Sequence, residues 1–325
     1  MEFMEKQTEK KIAFELKTPV VFIIFNRFDT AERVFNAIAQ AKPKKLFVIA
    51  DGPRKNKPDE AEKCVRVRSL IERVDWPCTV YKNFSDTNLG CDPRVVSGLN
   101  WVFSQTDRAI ILEDDCLPEQ SFFRFCDELL ERYKGDERIM QISGECKTLV
   151  TLNCEESYYF TKHIEIWGWA TWKRAWEKAD HDMKMWQKIK KQKMLKTVLP
   201  QKSEYYYWTR LFDKRYKNEI ITWDSMWAYS ILKESAFSIA PAVNLVSNIG
   251  TDSKEATHGN NKSLFAAAPC TPMAFPLVHP HFVMENPLYT KYENKARAKD
   301  EKRLPYPLNK WASYAKRFLT GRVFK

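Results

Sequence analysis

Several features are missing from this 325-residue chain, and each absence closes a functional class. The longest unbroken apolar run near the start, residues 20–25, is far short of the roughly 20 residues a membrane-spanning helix needs. The first residues mix Glu2, Glu5 and Glu9 with Lys6, Lys10 and Lys11. They hold no apolar signal-peptide core, so a cytoplasmic location is expected. No two of the eight cysteines form a C-x-x-C pair, which argues against a zinc ribbon, and their scatter argues against a disulfide framework. No G-x-G-x-x-G follows the first apolar run and no G-x-x-x-x-G-K-[ST] occurs, so neither a dinucleotide fingerprint nor a P-loop is present. Internal repeats and low-complexity linkers are lacking as well.

The chain is 44% hydrophobic and 29% charged, as expected of a soluble globular body. Its net charge of +11 is uneven. Residues 291–325 carry eleven Lys/Arg against three acids, leaving an ordinary body and a basic tail. In that tail Leu308, Trp311, Ala315, Phe318 and Leu319 recur at helical spacing among Lys310, Lys316, Arg317 and Arg322. An amphipathic basic helix of this kind suits an anionic membrane surface, giving a peripheral location at the inner face, or else packs on the body. The expected organisation is an extension over 1–17, a catalytic domain over 18–285 and the basic tail over 286–325. Within the domain a donor half (18–145) precedes an acceptor half (146–285).

The first 115 residues alternate between strand and helix patterns. Residues 20–25, 46–50, 79–84 and 109–112 read as short buried strands. Helices are expected over about 30–38, with Asp29 or Thr30 as N-cap, and over 58–74 and 93–103. Phe122, Phe123, Phe125, Cys126, Leu129 and Leu130 form another helix face, 139–143 another strand, and the lysine-rich 184–202 a helical insertion. The pattern predicts an α/β/α sandwich with a mostly parallel central sheet.

Three adjacent carboxylates, Glu113, Asp114 and Asp115, close the strand Ala109-Ile110-Ile111-Leu112. They repel one another unless a cation or hydrogen-bond donors share the site. An oxygen-rich, sulfur-free cluster suits Mn2+ or Mg2+, and such an ion commonly carries a diphosphate. Two further strand ends are polar: Asn26-Arg27, and Asp51-Gly52-Pro53-Arg54. In open α/β sheets ligands lie beyond the carboxyl ends of strands, so these three segments belong to one expected site.

In this order the blocks resemble the GT-A glycosyltransferases, and within them the β-1,2-N-acetylglucosaminyltransferase I family (glycosyltransferase family 13). Pro19 to Arg27 resembles that family's first strand, and Ile111-Leu112-Glu113-Asp114-Asp115 with Ser121-Phe122-Phe123 its E-D-D block and following helix. Gly168-Trp169, Trp172, Trp176 and Trp223-Asp224-Ser225-Met226-Trp227 resemble its tryptophan blocks, and Thr257-His258-Gly259 its donor-closing loop. Bacterial surface-polysaccharide transferases share the pattern. The resemblance implies a Rossmann-like fold and metal-dependent, inverting sugar transfer from a UDP-sugar to a saccharide or lipid-linked glycan. It makes Asp115 the metal ligand, with Glu113 and Asp114 facing ribose and donor sugar and His258 a donor contact.

The residues themselves leave alternatives at most of these positions. Asp51 could accept from a uracil N–H or simply form a turn with Gly52. Arg27 could meet a phosphate or close a salt bridge. Asn26 and Arg54 stand at the same strand ends, while Asn88, Gly90 and Arg94 could border diphosphate or ribose, or make a turn. Asp224 is the candidate base for the acceptor hydroxyl, or a helix N-cap. Trp167, Trp169 and Trp223 could stack on sugar faces or fill a core.

Two other functions compete. A sugar-nucleotidyltransferase would carry a glycine-rich basic loop after the first strand, where this chain reads Phe25-Asn26-Arg27-Phe28-Asp29. A nucleic-acid-binding protein is suggested by the tail alone, and the body lacks a basic stripe, so no nucleic-acid partner is expected.

Overall fold

The computed structural model describes residues 14–148, 155–250 and 263–300. The expectations placed on His258 and on the basic segment after residue 300 lie outside the described residues. Val20–Ile24 (β1) is buried along its whole length. Val20, Phe22 and Ile24 enter one core and Val21 and Ile23 the other, the two-faced burial of a central strand. Phe28–Ala41 (α1), Lys45–Ala50 (β2), Glu60–Arg68 (α2), Thr79–Phe84 (β3), Cys91–Phe103 (α3) and Arg108–Glu113 (β4) follow. β1 pairs in parallel with both β2 and β4, and β2 with β3, so these four strands end on the same edge.

Cys116–Pro118 (β5), Ser121–Arg132 (α4), Ile139–Ser143 (β6), Tyr158–Thr161 (β7) and Trp169–Trp172 (β8) come next. They lead into Lys173–Trp176 (α5), Trp186–Lys191 (α6), Lys202–Tyr216 (α7), Trp223–Lys233 (α8), Phe237–Pro241 (β9), Val246–Asn248 (β10) and Pro287–Asp300 (α9). The eight-stranded sheet has the order β3-β2-β1-β4-β8-β6-β9-β7. β8 and β7 run antiparallel to their neighbours, and the other six strands share one direction. β5 and β10 form a separate antiparallel pair. One core takes α1, α2 and α4 and the other α3 and α5 to α8, giving three layers.

Some local expectations change. The helix expected over 58–74 ends at Arg68 and tightens into a 3-10 turn over Ser69–Arg73. The insertion is α6 followed by another short turn, and its Trp186, Ile189, Leu195 and Leu199 are buried in the second core. Arg27, rather than Asp29 or Thr30, caps α1, because strand runs into helix within three residues and the Ala31 N–H already donates to the Arg27 carbonyl.

α9 packs on the sheet, so the folded body runs past residue 285. Tyr289 lies 4.7 Å from the Tyr159 ring, and buried Glu293 accepts from Thr161 Oγ1 (2.7 Å) and the Tyr159 hydroxyl (3.1 Å). Burial, with Glu285 and Glu204 adding repulsion, pushes the Glu293 carboxyl from 4.5 up to about 8 against those two hydrogen bonds. An acid whose pKa rises on folding contributes stability below its unfolded value, and that contribution is lost as pH climbs to the folded value. The window is therefore pH 4.5 to about 8. Glu293→Gln should flatten the fall of melting temperature across that window. An unchanged slope in thermal melts would remove Glu293 as its source.

Candidate functional site

The parallel register of β1, β2 and β4 brings their three polar continuations together, with Ile23 beside Glu113 and Ile24 beside Ala50. The β5–β10 pair then returns the chain to the acidic end, where the Ile249 N–H donates to the Asp115 carbonyl at 2.8 Å. Gly250 follows directly. A Cβ there would stand 2.3 Å from Asp115 Oδ2 and 2.6 Å from Arg27 Nη1, so only glycine allows this approach.

Arg27 is the hub of the acidic cluster. Its Nη2 donates to Asp114 Oδ1, and to Asp115 Oδ2 at 2.9 Å, while Asp114 also accepts from the Phe25 N–H at 3.3 Å. Burial alone would lower the pKa of Arg27, but the two carboxylates outweigh it and the net shift is upward. Glu113 is pushed up to about 8 by burial first and then by Asp115 and Asp114, with Arg27 opposing and Asp224 adding to the rise. Burial raises Asp114 to about 6 against the pull of Arg27. Glu113, Asp114 and Asp115 thus share one guanidinium, and Asp224 adds a fourth negative charge within electrostatic reach of Glu113.

Asp224 approaches this cluster from α8. The N-cap of that helix is Thr222, whose carbonyl accepts from Ser225 Oγ at 2.8 Å. Asp224 is therefore not the cap but a half-buried residue of the first turn, where the helix dipole favours a negative charge. Its Oδ1 accepts from the Ser225 N–H at 2.8 Å, which fixes the carboxylate. It acts electrostatically on both Glu113 and Cys91. Cys91 meets solvent, although protein packed around it reduces its hydration. That crowding, followed by Glu113, Asp224, Asp92 and Asp51, pushes the thiol up to about 12 and keeps it protonated.

The second strand end is built inward. Buried Asp51 accepts from the N–H groups of Leu89 (2.9 Å), Gly90 (3.0 Å) and Gly52 (2.9 Å) and from Asn88 Nδ2 (3.0 Å). Both of its oxygens are engaged in holding the loop before α3, which leaves no free lone pair pointing at a base. A Cβ on Gly52 would come within 2.5 Å of the Thr87 backbone, so Gly52 serves the close passage of the same two loops. Gly90 takes a left-handed φ of 85°, starting α3. Buried Arg94 donates to the Ala50 carbonyl (3.2 Å) and Asn83 Oδ1 (2.8 Å), tying strand ends together instead of reaching a phosphate.

Asn26 is likewise buried, donating to Glu60 Oε1 at 2.9 Å, and Arg54 forms an ion pair with the same carboxylate. Glu60 and Arg68 were not legible as site-building residues. Arg68 Nη2 donates to the carbonyls of Asp51 (2.9 Å) and Ser85 (2.6 Å), side-chain contacts to backbone groups that no spacing announces. Beside these loops lies a cavity of about 580 Å³ lined by Pro53, Arg54, Lys55, Asn56, Lys57, Pro58, Ala61, Asp86, Thr87 and Asn88.

Trp169 and Trp223 require correction as sugar platforms. They are 0% and 3% exposed and stack on each other at 5.5 Å, with Trp227 against Trp169 at 5.8 Å. Their faces are used by the core, and the pair anchors the start of α8 that carries Asp224. Trp167 is only partly buried, packed against the first core with the Lys147 ammonium 4.5 Å from its ring centroid.

Among the described residues no grouping of three His, Cys, Asp or Glu could by itself hold a metal ion. The all-oxygen donors and the surplus of carboxylate over cation are nevertheless of the kind that suits a hard divalent ion.

No family model and no curated protein matches this chain. Partial likenesses to solved structures exist. A mannosyltransferase from Pyrobaculum calidifontis, in complex with GDP-Man and Mn2+, is 14% identical with a TM-score of 0.33. That match covers 49% of this chain, which spans only 45% of the mannosyltransferase. A 4-diphosphocytidyl-2C-methyl-D-erythritol synthase from Anaerococcus prevotii is 12% identical with a TM-score of 0.32, covering 50% of this chain and 74% of that one. A UDP-glucose pyrophosphorylase complexed with UDP-glucose is 9% identical with a TM-score of 0.35, covering 69% and 90%.

Proposed function

We propose that this chain is a GT-A-type, metal-dependent inverting glycosyltransferase. It moves a sugar from a UDP-sugar to a hydroxyl of a saccharide or lipid-linked glycan, as in surface-polysaccharide synthesis. What supports this most is the placement of Asp224, delivered by a separate helix to within electrostatic reach of Glu113 at the acidic strand end.

In this reading Asp224 takes the proton of the acceptor hydroxyl as that oxygen forms its bond to the anomeric carbon. The bond from that carbon to the diphosphate oxygen breaks, and UDP leaves with the electron pair. A single displacement inverts the anomeric centre. Asp115 would hold a divalent ion, which supplies Lewis-acid stabilisation of the charge on the departing phosphate. Arg27 holds Asp114 and Asp115 in position and offers its guanidinium to the same developing charge. Partly exposed Glu113 would face a hydroxyl of the donor from the same strand end.

Incubation with a panel of UDP-sugars and Mn2+, followed by chromatography, should yield UDP and a free or transferred sugar. Pyrophosphate released from UTP and a sugar 1-phosphate, with no turnover of any UDP-sugar, would replace this reading by nucleotidyl transfer.

A further inference from the structure

We propose that residues 278–299 form a docking face for an anionic lipid surface, an inference that does not rest on the transfer reaction. Phe282 and Met284 are the two most exposed large apolar side chains among the described residues, at 74% and 68%, and Val278 and Leu288 stand at 50%. Their segment lies along the edge strand β7. The Ser157 N–H donates to the Val278 carbonyl (2.8 Å), the Val278 N–H to Ser157 Oγ (2.9 Å), and Glu285 bridges Phe160. Val283 packs against the core while its neighbours Phe282 and Met284 face outward.

α9 continues the same surface. Its inner face buries Tyr289, Thr290, Glu293 and Ala296. Its outer face presents Leu288, Lys291, Lys295 and Lys299, all exposed and spaced as one helical stripe. None of these three lysines forms an ion pair among the described residues. Apolar side chains beside a row of unpaired lysines match a bilayer twice, by burial among acyl chains and by attraction to anionic headgroups. A symmetric second copy would set lysine row against lysine row. Among the exposed apolar side chains of this face only Phe282 is an aromatic ring; Val278, Met284 and Leu288 offer no stacking surface to successive nucleic-acid bases.

The face is tied to the body by ion pairs. Arg297, on the same helix, pairs with Glu165, and Glu165 lies 2.6 Å from the Lys147 ammonium that covers Trp167.

Flotation of the full chain tests this, using vesicles of phosphatidylcholine alone and phosphatidylcholine with about one third phosphatidylglycerol. The chain should prefer the anionic vesicles and release with added salt. Phe282→Asp with Met284→Asp should weaken binding at least about tenfold, from the loss of two inserted side chains. Lys291→Gln, Lys295→Gln and Lys299→Gln together should weaken it about a hundredfold on anionic vesicles. Thermal melts would verify that both variants fold, and both should turn over a UDP-sugar in solution as the wild type does. Wild-type-like flotation of both variants would overturn the proposal. So would a vesicle-free dimer that the apolar variant abolishes, or tighter binding to an oligonucleotide than to vesicles.

Discussion

Asp224→Asn should bind donor as the wild type does and lose sugar transfer by about 10²–10⁴-fold, the usual contribution of a positioned base. The substitution preserves shape. An asparagine oxygen can still accept from the Ser225 N–H, and the Thr222–Ser225 contacts that start α8 do not involve the side chain. Only the ability to take a proton is removed. The loss therefore belongs in kcat, with donor affinity measured by calorimetry unchanged. Equal transfer by the two proteins would remove Asp224 as the base, and weakened donor binding would make it a donor contact instead.

Asp51→Ala should cost about 3–5 kcal/mol of stability, because it strands several buried donors at about 1–3 kcal/mol each. The N–H groups of Gly52, Leu89 and Gly90 and the Asn88 amide all converge on this carboxylate. Without it the loop before α3 has no anchor, and the wall formed by Thr87, Asn88 and Cys91 loses its position. Urea denaturation would show a large fall in midpoint, with a smaller one for Asn88→Ala. Wild-type stability combined with lost uridine affinity would instead restore Asp51 as a contact to the base.

This contrast shows what the sequence can and cannot disclose. β1, β2 and β4 were readable because a short apolar run bounded by turn residues has few alternatives, and their parallel order put Arg27 and the acidic triplet on one edge. The roles of the polar residues on that edge were harder to read. Asp51, Asn26 and Arg94 look like ligands in a motif, yet each is consumed by partners distant in sequence: the Leu89 and Gly90 amides, Glu60, and Asn83. Tryptophan blocks have the same ambiguity. Trp169 and Trp223 meet across 54 residues and bury each other, which no local pattern announces, while Trp167 two positions earlier stays partly exposed. β7, β9 and β10 escaped notice because they are short and lie in the irregular second half. Their pairing supplies Gly250 at Asp115 and the edge along which residues 278–285 run.

The central claim is that the acidic strand end serves a divalent ion and a nucleoside-diphosphate sugar together. Calorimetric titration of the full chain with UDP-sugars, with and without Mn2+, tests it most directly, alongside Asp115→Ala. At least one UDP-sugar should bind at least about tenfold more tightly with Mn2+, and Asp115→Ala should abolish that gain while leaving the melting temperature near the wild-type value. Binding that is absent for every UDP-sugar, or indifferent to Mn2+ and to Asp115, would contradict the account.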